Sequence, residues 1–147
     1  MLQKDKKILK KVIFFLFLIL FFCGIFTFRD YGISVDEEFH RSSGFYWLRY
    51  VLSFTTFEEL KNLVNIKLNQ ISGFSLPPPE SYPFYGVIFD LPVAFLEIIF
   101  QIDDPKNYFF FKHFLNFSLF FIASIFFYKL LQNRFLNYKI SLIGTLF

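Results

Sequence analysis

The chain has 147 residues, 55% of them hydrophobic and 24% aromatic, with 27 Phe and a net charge of +3. Usage on this scale excludes an ordinary soluble domain and points to a membrane protein. A single cysteine, Cys23, excludes an intrachain disulfide framework. The chain also has no HExxH, CxxC, Walker-type or GxGxxG motif, so soluble-type cofactor binding has no support.

In chain order, Met1 to Lys11 carries five Lys and one Asp, and Val12 to Phe28 is a charge-free run of 17 residues. That length is at the low end of what spans a bilayer as a helix. A secretory signal peptide has similar layout, but this apolar core exceeds a usual h-region and no small-x-small cleavage site follows. An uncleaved signal anchor is therefore expected, with span 1 at about 12–28. Cys23 inside it reads as a small core residue. Phe22 stands where a lipoprotein signal needs a small side chain, which excludes that processing.

Residues 29–104 read as an extracytoplasmic loop. Arg29 to Glu80 holds five basic and seven acidic residues, whereas both flanking segments, Met1 to Lys11 and Lys129 to Lys139, are rich in Lys and Arg. Lys/Arg enrichment marks the cytoplasmic side. Within the loop, Phe39 to Phe54 has helical spacing and a broad apolar face, with Phe45, Leu48 and Leu52 on one side. Trp47 and its Tyr neighbours suit a headgroup-level position. Thr55 or Thr56 followed by Glu58 or Glu59 reads as a capping box that starts a second helix, with Leu60, Leu63 and Val64 on one face. Gly73 to Pro83, with Pro77-Pro78-Pro79, reads as an extended linker.

Phe84 to Ile102 is apolar enough to suggest a further span. Asp90 and Glu97 would each cost roughly 2.5–3.5 kcal/mol near a bilayer centre. Pro92 interrupts any long helix, and an extra crossing would put the basic ends on opposite sides. The segment therefore reads as an interfacial helix that packs with Phe39 to Phe54, with Asp90 capping its second half. Asp104-Pro105 then opens span 2, at about 105–131, with Asp as N-cap and Pro at the first helical position. Ile140 to Phe147 reads as the start of a third span, so the chain is expected to be the N-terminal piece of a longer protein. The expected fold class is all-α integral membrane: transmembrane helices joined by an extracytoplasmic loop with amphipathic juxtamembrane helices.

Asp36-Glu37-Glu38, followed by His40 and Arg41, is the densest charged cluster outside the termini. On composition alone it reads as a solvated loop. A divalent metal held by Asp36, Glu37 and His40 is an alternative, although carboxylates this close repel one another and tend to stay in water. The basic N-terminus and apolar helix are followed by Tyr31-Gly32-Ile33-Ser34-Val35-Asp36-Glu37 and the amphipathic Phe45–Leu52. This succession resembles the start of membrane glycosyltransferases of the GT-C class. The similarity is closest to the dolichyl-phosphate-mannose-protein mannosyltransferase-like family, bacterial members included. Tyr85-Gly86-Val87-Ile88-Phe89-Asp90-Leu91-Pro92 and Lys112-His113 also resemble bacterial members.

The resemblance implies a multi-pass protein of the bacterial inner (cell) membrane that moves a sugar from a polyprenyl-phosphate donor to an extracytoplasmic acceptor. It implies that Asp36 is the catalytic base or orients the acceptor, with Glu37 as its neighbour. Many relatives carry an Arg near the lipid phosphate at the outer end of the second span; this chain has Lys112-His113 there instead. Lys112, His113 and His40 are the candidate substrate contacts. Aromatic side chains after Asp36 are expected to shield it and raise its basicity. Partners implied are membrane lipid and the lipid-linked sugar donor, with no nucleic acid. The competing reading is a non-enzymatic small membrane subunit or assembly factor, which needs no such carboxylate.

Overall fold

The computed structural model describes residues 3–34, 36–71 and 87–146. Over these residues the chain is all-helical, in six helices: α1 (Gln3–Thr27), α2 (Asp36–Ser53), α3 (Glu58–Ile71), α4 (Asp90–Ile99), α5 (Pro105–Phe135) and α6 (Tyr138–Leu146). Two of them are long and apolar enough to cross a membrane, over Lys6–Thr27 and Pro105–Phe135. The chain divides into two compact units, residues 1–31 with 110–147 (unit 1) and residues 32–109 (unit 2).

Unit 1 is held by rings. Phe17 meets Phe121 and Tyr128, Phe21 meets Phe117 and Phe121, and Phe28 meets Phe114, at centroid separations of 5.2–6.4 Å. Rising numbers on α1 pair with falling numbers on α5, so the two helices run antiparallel. The approach is closest at Gly24, where an added Cβ would collide with the Phe117 ring. Small residues at such a crossing let helix backbones come together. The remaining apolar side chains point outward: 11% of the apolar window in α1 and 6% of that in α5 is buried. Hydroxyls within these helices bond back to their own backbone, as Thr27 does to Cys23 O and Ser118 to Phe114 O, which satisfies them without water.

α5 begins as the sequence predicts. The Asp104 carboxylate accepts from the Lys106 amide at 3.2 Å, and Pro105 takes the first helical position. The helix runs on to Phe135, four residues past the expected end, and stops at Leu136 with φ 52°. Asn137 then caps α6 by accepting from the amides of Lys139 and Ile140.

Unit 2 has an aliphatic and aromatic centre made of Phe45, Leu48 and Leu52 from α2, Val64 and Leu68 from α3, and Ala94 and Ile98 from α4. Burying the Phe, Leu, Val and Ile side chains of this set stabilises by about 1.5–3 kcal/mol each. α2 and α4 touch at backbone distance: a Cβ on Gly44 would lie 2.5 Å from the Asp90 carbonyl oxygen. The expected packing of these two segments is thus observed.

Several local expectations are corrected. α4 spans Asp90–Ile99 alone, and the expected linker at Gly73–Pro83, like Phe84 to Gly86, lies outside the described residues. Pro92 sits in the first turn of α4, where its missing N–H belongs to the set with no partner inside the helix, so it does not break the helix. Asp90 does not cap; it is itself the first helical residue, and the N-cap Phe89 makes no side-chain capping bond. The Thr55 hydroxyl turns back to Leu52 O at 2.8 Å, and the Glu58 amide bonds Thr56 O at 3.0 Å. α3 buries Val64 and Leu68 with Leu60 and Ile71 against the core, while Leu63 is exposed.

Candidate functional site

α2 opens with Asp36, Glu37 and Glu38 in its first turn. Three carboxylates there are favoured by the unsatisfied amides and partial positive charge of a helix N-terminus, and the Glu37 amide is satisfied by Ser34 O at 3.1 Å. The cluster is thus helical rather than a solvated loop. His40 and Arg41 follow one turn later, and both reach α4. The His40 Nδ1 lies 2.9 Å from an Asp90 carboxylate oxygen. Arg41 donates from Nε to Glu97 Oε2 at 3.2 Å and from Nη2 to Glu97 Oε1 at 2.5 Å. Asp90 and Glu97 are seven residues apart, two turns along one face, so adjacent residues of α2 grip both carboxylates of α4.

Glu97 is completely buried, and its charge is met twice. Besides Arg41, the Lys67 ammonium of α3 stands 3.5 Å from Glu97 Oε1, and donates to Ile102 O at 2.5 Å and to Asp103 Oδ1 at 3.0 Å. The Arg41 guanidinium also lies over the ring of buried Tyr108, 4.3 Å from its centroid. A buried carboxylate is tolerated only when its lone pairs are met in this way. The network ties α2, α3, α4 and the start of α5 into one body.

The sequence reading took Asp90 and Glu97 as arguments against a membrane crossing, and Asp90 also as a helix cap, and so missed this network. The available signal was general: a carboxylate in an apolar helix requires a polar partner, and the sequence does not say which residue supplies it.

The candidate residues distribute as follows. Asp36, Glu37 and His40 belong to unit 2 and share the first turns of α2. Asp36 is exposed, so the aromatic shielding expected for it is not seen among the described residues. The His40 ring is directed to Asp90, and among the described residues no three His, Cys, Asp or Glu side chains gather where they could hold a metal ion. Lys112 and His113 belong to unit 1 and are both buried, with the His113 ring edge-on to Tyr31 at 5.9 Å. The Arg29 guanidinium lies over the rings of Phe28 and Phe110.

Comparison of the chain with protein-family models, with curated proteins and with solved structures finds no match.

Proposed function

We propose that this chain is part of a multi-pass glycosyltransferase of the GT-C class in a bacterial inner membrane. It would transfer a sugar from a polyprenyl-phosphate donor to an acceptor hydroxyl outside the cytoplasm. In that reaction the acceptor O–H gives its proton to a carboxylate base and its oxygen bonds to the anomeric carbon. The bond between that carbon and the phosphate oxygen breaks, and the lipid phosphate leaves with the electron pair. Asp36 is the base and Glu37 tunes its charge. Lys112 and His113 are the groups we assign to the lipid phosphate, because a cation beside a departing phosphate stabilises its growing charge.

The observation that carries the assignment is the contrast among the carboxylates of unit 2. Asp90 and Glu97 are committed to His40, Arg41 and Lys67. Asp36 is exposed and makes no ion pair among the described residues, yet it lies one turn before the residues that clamp α2 to α4. A reactive group is positioned best when it is carried by a rigid element whose supports lie elsewhere. Asp36 has that arrangement.

The test is Asp36→Asn in the full-length protein in native membranes, assayed for sugar transfer from a polyprenyl-phosphate donor. The rate should fall roughly 10²–10⁴-fold, as for loss of a general base, with helix content and membrane insertion retained. Unchanged transfer by Asp36→Asn with severe loss in Asp30→Asn would reassign the base. Absence of any transfer by the unmodified protein would favour the non-enzymatic membrane subunit.

A further inference from the structure

The lysine-rich end of unit 1 holds a cavity of about 620 Å³ between α1, α5 and α6. Local structure makes it. α5 stops at Leu136 with φ 52°, Asn137 caps α6, and α6 folds back against α1. α6 also lies close to α5, since a Cβ on Gly144 would sit 2.9 Å from Leu131 Cδ1. The polar wall includes Lys6, Gln132, Asn137 and Lys139, and the apolar wall includes Leu9 and Leu136. The polar chemistry is one-sided. Lys6 and Lys139 bring two ammonium groups, and Lys10 holds a third at the edge, its Nζ 5.7 Å from the centroid of the Tyr138 ring in the same wall. The Asn137 side-chain oxygen is spent on the amides of Lys139 and Ile140, so what that side chain has left to offer is N–H. Among the described residues no carboxylate lines the cavity. A concave site with several cationic donors and no anion of its own attracts an anionic ligand.

We propose that this cavity binds a phosphate group, and that the phosphate is carried by the headgroup of an anionic phospholipid rather than being free in solution. Basic pockets between membrane-crossing helices suit such headgroups. Placement favours the lipid. The charge-free run of α1 begins at Val12, about 9 Å along the helix from Lys6, and that of α5 ends at Tyr128, about 6 Å before Gln132. The cavity therefore lies where both helices would leave hydrocarbon. Its size leaves room for a glycerol beside the phosphate. Leu9 and Leu136 offer apolar surface to the ester end of a lipid, which a free phosphate has no means to use. The inference rests on the membrane reading of α1 and α5 given above, and is independent of glycosyl transfer.

Native mass spectrometry tests this on the 147-residue chain in detergent micelles doped with phosphatidylglycerol or with phosphatidylcholine, at an ionic strength of about 0.15 M, where charges outside the cavity are largely screened. The unmodified chain should retain one phosphatidylglycerol in preference to phosphatidylcholine, and excess inorganic phosphate should not displace it. Lys6→Gln combined with Lys139→Gln should weaken retention about ten-fold or more. Lys7→Gln combined with Lys11→Gln removes the same charge from outside the cavity, and should change retention less than about two-fold. Gln132→Leu leaves the charge alone and removes a donor, and should weaken retention about three-fold or more. Circular dichroism should find all three variants as helical as the parent. Equal losses in the two double variants would overturn the site, because net charge alone would then hold the lipid. Equal retention of phosphatidylcholine and phosphatidylglycerol would overturn recognition of the anion. Displacement by inorganic phosphate would overturn the lipid source and assign the cavity to a soluble phosphate.

Discussion

Units 1 and 2 are made from the same Phe-, Leu-, Ile- and Lys-rich stock, yet they turn it in opposite directions. In unit 1 the large rings face outward, with Phe14 64%, Phe26 76% and Phe120 71% exposed, and the helices meet where a glycine lets a ring in. In unit 2 Phe45 is fully buried, and beside that core lies a fully buried Glu97 with Arg41 and Lys67 around it. The difference shows which surroundings each part suits. Hydrocarbon gives no reward for turning Phe inward and penalises an unpaired backbone or carboxylate. Water rewards the burial of Phe45 and tolerates a buried Glu97 because its partners are supplied. Hydropathy alone makes the two regions look alike; the placement of charge separates them.

The largest expected effect comes from breaking the charged interior of unit 2. Glu97→Ala leaves Arg41 and Lys67 facing each other with no carboxylate between them, and should cost about 3–5 kcal/mol. Amide hydrogen exchange should quicken throughout α2, α3, α4 and residues 105–109 of α5, while α1 and the rest of α5 keep their protection. Equal loss of protection in α1 and α5 would mean that the two units do not stand independently.

A second prediction compares close approaches. In unit 2 a Cβ on Gly44 meets backbone, the Asp90 carbonyl group, which cannot step aside without moving α4. Gly44→Val should therefore destabilise unit 2 by about 1–3 kcal/mol. In unit 1 the obstacle at Gly24 is the Phe117 ring, the far end of a side chain that can rotate. Gly24→Ala should cost less, under about 1 kcal/mol. Chemical denaturation of the two variants side by side checks the order; a larger loss for Gly24→Ala would reverse it.

The extent to which the sequence foretold these features follows from how local each one is. Span-length helices, the Asp104-Pro105 start of α5 and the Phe45–Leu48–Leu52 face of α2 depend on neighbours within a few residues, and they were readable. The side-chain pairs that join α2 to α4 link residues 50 and 56 positions apart, and no local pattern encodes such a pairing. The same limit explains Asp90. Taken alone, an Asp before a helix reads as a cap; with His40 folded against it, its carboxylate becomes the partner of the imidazole ring. Leu63 was assigned to the wrong side because three apolar residues within five positions fit several helical faces. Only the positions of α2 and α4 select the one through Val64. For the candidate site, the sequence led to an expectation of aromatic shielding around Asp36, which is exposed, since exposure depends on what packs nearby.

The smallest expected effect is a gain. α4 ends with Gln101 at φ 51°, its amide bonded to Ile98 O and the Ile102 amide bonded to Glu97 O. This is the helix stop normally built on glycine. Gln101→Gly should relieve the left-handed strain and stabilise unit 2 by about 0.5–1 kcal/mol, partly offset by the greater freedom of glycine in the unfolded chain. Thermal unfolding followed at the single Trp47 reads the shift, and a lower midpoint would contradict it.

Sided labelling tests most directly the central claim that residues 29–104 face outside while both lysine-rich segments face the cytoplasm. In a Cys23→Ser background, Glu59→Cys and Lys139→Cys each place one thiol at an exposed position, in α3 and α6 respectively. A membrane-impermeant maleimide added to intact cells, or to spheroplasts if an outer envelope blocks access, should modify Glu59→Cys at once and Lys139→Cys only after permeabilisation. Modification of Glu59→Cys only after permeabilisation would place Asp36 and its helix on the cytoplasmic side and contradict the functional reading built on them.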